Sequence, residues 1–268
     1  MSNQAKGDSG RSQLLFRNFA MERFLERVSL SAYKDNFILK GGMLVSALVG
    51  LENRATMDID TTLKKLPLDC KSAERIVAGI ISVPVEDNIT FKVKSVSEIM
   101  DETEYAGVRL SLDAHLDSMR IPLKIDISTG DVITPAEISY PYKLMLEERY
   151  IYIWTYTLET VLAEKLETVL SRALMNTRLR DFYDIYILQS SELVINKQTL
   201  ATALAATCKK RGSESSLQKY ENTFDELAAS HVMRNLRESY QKKNSYAAGI
   251  NWGDAVKAAR KLCTEALT

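Results

Sequence analysis

Two aspartates stand one residue apart in "RATMDIDTT", residues 54–62. Asp58 and Asp60 alternate with Met57 and Ile59, a period typical of a half-buried strand, so both carboxylates point to one face about 6–7 Å apart at the backbone. At an effective dielectric of about 20, two unit charges at about 6 Å repel by about 3 kcal/mol. Solvent could screen that repulsion. A divalent cation bound by both carboxylates would instead explain why they lie close together.

A third carboxylate follows in "PLKIDIST", residues 122–129. Its apolar residues alternate with Lys124 and Asp126, so Asp126 lies on the polar face of a predicted strand. If this strand neighbours the first, Asp126 stands beside Asp58 and Asp60. Three carboxylates suit Mg²⁺ or Mn²⁺, with substrate phosphates and water completing the coordination, and two such ions could support phosphoryl transfer.

A pair of glycines, Gly41 and Gly42, precedes the aspartates and opens a segment, "MLVSALVG", that suits a short helix ended by Gly50. The run "NFILK" before it is typical of a short buried strand. Backbone N–H groups at the start of a helix have no partner within the helix and can hold phosphate. The glycines therefore predict a triphosphate site next to the carboxylates.

The chain as a whole changes character near residues 145–156. Before that boundary, helical periodicity over about residues 12–28 and in "DCKSAERIVAGIIS", with Asp69 as N-cap, accompanies strand-like runs. Three alternating runs, "ITFKVKSVSEI", "GVRLSLDAHLD" and "RIPLKIDISTG", predict an antiparallel meander, and a break follows at "TPAEISYPY". After the boundary the patterns are helical, in "TLETVLAEKLETVLSRAL", "RDFYDIYILQS", "KQTLATALAATCKK", "TFDELAASHVMRNLRESY" and "GDAVKAARKLCTEAL".

Composition sets broad limits on the function. The 268 residues carry 35 basic and 35 acidic side chains, so net charge gives no sign of a nucleic-acid or membrane partner. Three widely spaced cysteines and two histidines argue against a disulfide framework or a multi-histidine metal site. The polar N-terminal residues 1–15 and the lack of a long apolar run predict a cytoplasmic protein without a membrane span.

The segment "FILKGG…ALVGLENRATMDID" resembles the opening motif of the AbiEii-type nucleotidyltransferase toxins, which include MenT-like relatives and belong to the polymerase-β-like nucleotidyltransferase superfamily. The family form is a Lys-Gly-Gly-Thr start, a loop with an arginine, and Asp-x-Asp. Met43 departs from it, because the family has a small polar residue there. The matching residues are Lys40, Gly41, Gly42, Arg54, Asp58 and Asp60.

Two later segments match in the same order, so the resemblance spans about residues 36–190. "TLETVLAEKLETVLSR" is similar to the family's Ala-x-Lys helix, with Lys165 in register, and "RLRDFYDIYIL" is similar to its closing segment. Without the resemblance, Lys165 could equally be a lysine on a helix rim. Asp181 and Asp184, three apart near a helix start, could equally be acids that favour the helix dipole.

The resemblance implies an α+β fold, with a nucleotidyltransferase-like mixed sheet and flanking helices at residues 1–150 and an all-α domain at residues 151–268. The reaction would move a nucleoside monophosphate from an NTP to an acceptor and release pyrophosphate. Asp58, Asp60 and Asp126 would hold the metal and act in catalysis with Lys165 and Asp181. The nucleotide-binding residues would be Lys40, Gly41, Gly42, Arg54, Lys165, Arg180 and Asp184.

The family also implies a biological setting, because its members act as toxins in toxin–antitoxin or phage-defence (abortive infection) modules and some relatives modify the 3′ end of tRNA. We therefore expect an antitoxin encoded nearby and a possible tRNA acceptor. Two alternatives stay open at this point. A D-x-D glycosyltransferase would use Asp58 and Asp60 but not Asp126 or Lys165, and an NTP-binding module without catalysis would agree with Met43.

Overall fold

The structure of the chain is a computed structural model that describes residues 9–99 and 107–268. Residues 1–8, which belong to the polar N-terminal segment where we expect no targeting signal, lie outside the described residues. Within these ranges, no helix combines the length and the apolar character that crossing a bilayer requires.

Seven strands in the described residues form one mixed sheet. The strands are β1 (Phe37–Lys40), β2 (Asp58–Leu63), β3 (Ile89–Ile99), β4 (Gly107–Leu116), β5 (Met119–Thr129), β6 (Ile138–Lys143) and β7 (Tyr150–Thr155). Their spatial order is β3-β4-β5-β2-β1-β7-β6. The predicted antiparallel meander is confirmed in β3, β4 and β5, whereas β2 lies parallel to β5 and β1 lies parallel to β7. The predicted mixed sheet with flanking helices is therefore confirmed.

One strand lies where the sequence predicts a break. β6 covers "ISYPYK", and Pro141 pairs in register with Tyr152 of β7. β6 is an edge strand with β7 as its partner, so the missing N–H of Pro141 can face away from the ladder. The prediction of a break was wrong because a proline argues against a central strand but not against an edge strand.

Two helices cover the apolar face of this sheet. α1 (Ser9–Leu30) contacts β5 and β7, and α3 (Cys70–Ile81) contacts β3 and β4. The predicted N-cap of α3 is confirmed, because the Asp69 carboxylate accepts a hydrogen bond from the Ser72 backbone N–H. The alternate residues of β5 that face this layer are fully or nearly fully buried, namely Ile121, Leu123, Ile125 and Ile127. Their polar neighbours consequently lie on the opposite face.

The chain divides into two compact units. The first, the sheet unit, consists of the residues up to Ala47, Ala55–Asp131 and Glu137–Thr155; the second, the helical unit, consists of Leu48–Arg54, Val132–Ala136 and Tyr156–Thr268. The domain assignment made from the sequence, 1–150 and 151–268, stays a prediction.

The helical unit confirms the all-α character expected after the sheet. Its helices are α4 (Leu158–Arg172), α5 (Leu179–Ser190), α6 (Lys197–Arg211), α7 (Glu214–Gln218), α8 (Tyr220–Ala229), α9 (His231–Lys243) and α10 (Trp252–Leu267). The single helix predicted in "TFDELAASHVMRNLRESY" was wrong, because Ser230 separates α8 from α9. Ser230 adopts an extended conformation, and its side chain accepts a hydrogen bond from the Met233 backbone N–H as an N-cap.

A buried acid, Glu22, lies within the helix layer of the sheet unit. Its carboxylate accepts hydrogen bonds from the Asn18 amide at 3.2 Å and from the Met145 backbone N–H at 3.1 Å. Burial nevertheless raises the pKa of Glu22 to about 7, because desolvation penalises the charged form more than these donors favour it. The folded protein therefore holds a proton on Glu22 that the unfolded chain releases at lower pH.

We predict that Glu22→Gln changes the pH dependence of stability. For an acid whose pKa is raised on folding, stability falls as pH rises from the unfolded value of 4.5 to the folded value of about 7. The Glu22→Gln variant lacks this loss, so its free energy of unfolding should exceed that of the wild type by about 1–3 kcal/mol at pH 8 and equal it near pH 4.5. Urea unfolding at both pH values measures this difference, and an equal difference at the two would contradict it.

Candidate functional site

The structure brings the three predicted carboxylates of the sheet unit together on one face. In the parallel pairing of β2 with β5, Asp60 is opposite Asp126 and Asp58 is opposite Lys124. Neighbouring strands lie about 4.8 Å apart, and residues two apart on β2 lie about 6–7 Å apart, so the three side chains share a small area. All three are half-buried. They form the carboxylate triad, and their role as metal ligands stays a prediction.

An arginine that the sequence analysis did not identify binds this triad. Arg109 of β4 is the cross-strand neighbour of Asp126. Its Nε donates to Asp126 Oδ1 at 2.7 Å and its Nη2 to Oδ2 at 2.6 Å, a bidentate ion pair. Hydrogen bonding to Asp126 raises the pKa of Arg109, and the charges of Asp58 and Asp60 raise it further, so its guanidinium interacts with all three carboxylates.

The triad fits a divalent cation in donor chemistry and in the face that its members share. Three carboxylates are the hard oxygen ligands that Mg²⁺ and Mn²⁺ prefer. Within residues 9–99 and 107–268, however, no three His, Cys, Asp or Glu side chains already stand in the arrangement of ligands around one ion. The Asp126 carboxylate is directed to Arg109 through both oxygens.

The glycine pair lies directly against Asp60. Gly41 begins α2 (Gly41–Val49) with φ +65°, and a Cβ atom there would be 2.2 Å from Asp60 Oδ2. The Gly42 backbone N–H donates to the same oxygen at 3.3 Å. Gly41 is therefore required both for its backbone conformation and for the close approach of the carboxylate. The Gly42 N–H, which the sequence predicts to bind a phosphate, donates to the Asp60 carboxylate in this structure.

Lys40, at the end of β1, lies next to the triad. It pairs in register with Asp60, and its Nζ donates to Asp131 Oδ2 at 2.5 Å. The Ser128 hydroxyl donates to the same Asp131 oxygen at 2.7 Å. Asp131 is a second residue that the sequence analysis missed, because it follows the predicted strand and belongs to none of the matched motifs.

We predict that Gly41→Ala lowers the free energy of unfolding by more than backbone strain alone would, because the added Cβ displaces Asp60. The matched control is Gly212→Ala, because Gly212 has nearly the same φ, +64°, but no atom within 4 Å of an added Cβ. An alanine at positive φ costs about 1–2 kcal/mol in both variants. Displacement of Asp60 should add about 1–3 kcal/mol for Gly41→Ala alone. Urea unfolding measures the difference, and equal losses would mean that Asp60 moves aside freely.

In the helical unit, four of the predicted residues form a buried ion network. Arg54 Nε donates to Asp184 Oδ1 at 2.6 Å, and Lys165 Nζ donates to Asp184 Oδ2 at 2.6 Å and to Asp181 Oδ1 at 3.0 Å. Asp184 is fully buried, and Lys165 and Asp181 retain about a tenth of their exposure. Arg180, by contrast, is exposed. The structure thus brings Arg54, Lys165, Asp181 and Asp184 together.

The charges in this network depend on one another. Burial alone would raise the pKa of Asp184, but Arg54 and then Lys165 hold it below its ordinary value. Burial would likewise lower the pKa of Lys165, whereas Asp184 and Asp181 keep it above its ordinary value. Asp184 is therefore ionised in the folded chain at neutral pH and forms ion pairs with both buried cations.

We predict that Asp184→Asn is strongly destabilising, by about 3–5 kcal/mol, because Arg54 and Lys165 stay buried while the carboxylate that both of them contact becomes neutral. Asp181→Asn is the matched control, and it should cost less because Lys165 keeps Asp184. Since the pKa of Asp184 is lowered on folding, wild-type stability should be lost as pH falls below about 4, and the Asn variant should lack this contribution. Urea unfolding between pH 3 and pH 7 tests both expectations; equal effects of the two variants would contradict the first.

Comparison with known proteins decides among the interpretations left open by the sequence. The family described as "Nucleotidyl transferase AbiEii toxin, Type IV TA system" matches residues 23–252, which is more than half of the chain. The chain belongs to the AbiEii nucleotidyltransferase toxin family. It is therefore a nucleotidyltransferase toxin of a type IV toxin–antitoxin system, which implies an antitoxin partner. This favours nucleotidyl transfer over a D-x-D glycosyltransferase and over a binding module without catalysis.

Solved structures support the same fold for this AbiEii-family chain. MenT4, a nucleotidyltransferase toxin from Mycobacterium tuberculosis, is 14% identical with a TM-score of 0.59, over 98% of this chain and 97% of that one. JHP933 from Helicobacter pylori is 14% identical with a TM-score of 0.57, over 94% of this chain and 90% of that one. At such identities the likeness shows the fold alone. No curated protein matches the AbiEii-family chain.

Proposed function

We propose that this AbiEii-family enzyme transfers a nucleoside monophosphate from an NTP to the 3′-terminal hydroxyl of tRNA, with Mg²⁺ or Mn²⁺ held by Asp58, Asp60 and Asp126. The observation that carries the proposal is the register of β2 with β5, which sets Asp60 opposite Asp126 with Asp58 on the same face. A bound divalent ion would offset part of the negative charge of the triad and of the nucleotide phosphates.

The proposed reaction forms one bond and breaks one. The acceptor hydroxyl oxygen attacks the α-phosphorus of the NTP, the bond from that phosphorus to the bridging oxygen breaks, and pyrophosphate leaves. The hydroxyl proton passes to Asp126. A carboxylate has about four lone-pair sites, and Arg109 uses one on each oxygen, so acceptance of a proton by Asp126 is compatible with partial retention of the ion pair.

The proposed triphosphate site lies beside the triad within the sheet unit. Lys40 is the register neighbour of Asp60, and the Gly42 N–H is within hydrogen-bond distance of its carboxylate. A triphosphate at the start of α2 would offer new acceptors to both donors. The nucleotide-binding roles of Arg54, Arg180 and Asp184, and the catalytic roles of Lys165 and Asp181, stay predictions.

The proposal is tested by incubating the purified protein with α-³²P-labelled NTPs, MgCl₂ or MnCl₂, and total tRNA. Label should enter tRNA in the wild type, and Asp60→Asn should lower the initial rate about a hundredfold or more, because a metal ligand is lost. The matched control is Asp117→Asn in the β4–β5 turn. It makes the same charge change at a residue that already has positive φ, which asparagine tolerates, and it should keep the wild-type rate.

A chemical control distinguishes the acceptor. Periodate oxidation destroys the terminal ribose diol of tRNA, so oxidised tRNA should accept no label if the 3′ end is the acceptor. Equal labelling of intact and oxidised tRNA would mean that the acceptor is not the 3′-terminal ribose. An Asp60→Asn protein that stays folded by circular dichroism and labels tRNA at the wild-type rate would contradict the metal-dependent mechanism itself.

A further inference from the structure

The bidentate pair of Arg109 with Asp126 stands where the proposed metal site needs a free carboxylate. Both oxygens of Asp126 accept from the guanidinium at 2.6–2.7 Å, and both residues lie on the face of the sheet that carries the triad. A divalent ion shared by Asp126 and Asp60 would also require an Asp126 oxygen. Two cations at one carboxylate repel each other, so metal and guanidinium cannot both bind Asp126 at full strength.

The exposure of the two side chains allows the Arg109 guanidinium to separate from Asp126. The Arg109 side chain is 41% exposed, whereas Asp126 is 19% exposed, so the guanidinium can turn into solvent while the carboxylate stays on the sheet. A partly exposed ion pair contributes little net free energy, because water solvates both groups when they separate. Without a counter-charge, however, the three carboxylates would repel one another, and Arg109 is the arginine that lies next to Asp126 in register.

We propose that Arg109 is a positioning residue that competes with the divalent cation for Asp126. In the metal-free chain its guanidinium offsets part of the negative charge of the triad, and it releases at least one Asp126 oxygen when the metal binds. This inference rests on the proposed function, because it takes Asp58, Asp60 and Asp126 as the metal ligands. It adds that the affinity of the site for metal is limited by a residue of the chain itself.

A second arginine on the same face, six residues along β5 from Asp126, provides the matched control. Arg120 of β5 lies near Asp113 of β4, with 3.5 Å between Nε and Oδ1, and its side chain is 59% exposed. It is also an arginine paired with an aspartate across the β4–β5 ladder, but Asp113 is not a member of the triad. Replacement of Arg120 therefore removes the same charge from the same ladder without releasing a predicted ligand.

The experiment measures Mn²⁺ binding without nucleotide or acceptor, from the electron paramagnetic resonance signal of free Mn²⁺ during titration of the full chain. Arg109→Gln should bind Mn²⁺ roughly three- to tenfold more tightly than the wild type, because an exposed competitor of this strength is removed. Arg109→Lys keeps the charge but loses the planar fork, so it should shift the affinity in the same direction by less. Arg120→Gln should leave the affinity unchanged.

The outcomes separate this inference from the proposed function. Wild-type binding that is lost in Asp126→Asn, together with tighter binding in Arg109→Gln, supports both. Wild-type binding with unchanged or weaker affinity in a folded Arg109 variant overturns the competition and leaves the proposed function intact. If neither the wild type nor an Arg109 variant binds Mn²⁺, both the metal site and the competition are wrong. Equal tightening in Arg120→Gln would show a general charge effect and would also overturn the inference.

Discussion

The register of β2 and β5 holds three carboxylates on one face of the sheet unit, where their charges repel one another. Two unit charges about 5–6 Å apart repel by about 3 kcal/mol at an effective dielectric of about 20, and a counter-charge close by reduces that repulsion. Arg109 supplies that charge through both oxygens of Asp126. The same electrostatic demand would be met by a divalent ion during nucleotidyl transfer. Arg109 and a divalent ion would thus supply positive charge to the same three carboxylates.

The opposite face of the sheet determines where these carboxylates point. A slip of one residue between β2 and β5 would turn Asp126 to the apolar side and Ile125 to the polar side. Burial of Ile125 against the helix layer, with no exposure at all, makes that slip costly. The site therefore depends on the hydrophobic core beneath it. Gly41 adds a local requirement, because any side chain at its Cα would occupy the space of the Asp60 carboxylate.

Features that follow from local periodicity could be predicted from the sequence. The strand faces of Asp58, Asp60 and Asp126, the antiparallel meander and the Asp69 cap depend on spacing along a single segment. The Arg109–Asp126 pair could not be predicted, because it depends on the register between two strands, which no single segment encodes. β6 was missed because a proline is compatible with a strand only at the edge of a sheet, which depends on the tertiary context. The division of α8 from α9 was missed because a single serine is a weak local signal for an N-cap.

In the buried network of the helical unit, residues that match the family pattern bind one another. Arg54 and Asp184 match the family pattern at positions 130 residues apart, and the structure pairs them with each other. Asp184 is fully buried and accepts from both Arg54 and Lys165, so its carboxylate is already committed to two cations in the core. Asp181 shares Lys165 through a longer bond and retains a side-chain exposure of 12%. If either carboxylate contacts a nucleotide, Asp181 is favoured, since Asp184 could do so only by giving up a buried ion pair with Arg54 or Lys165.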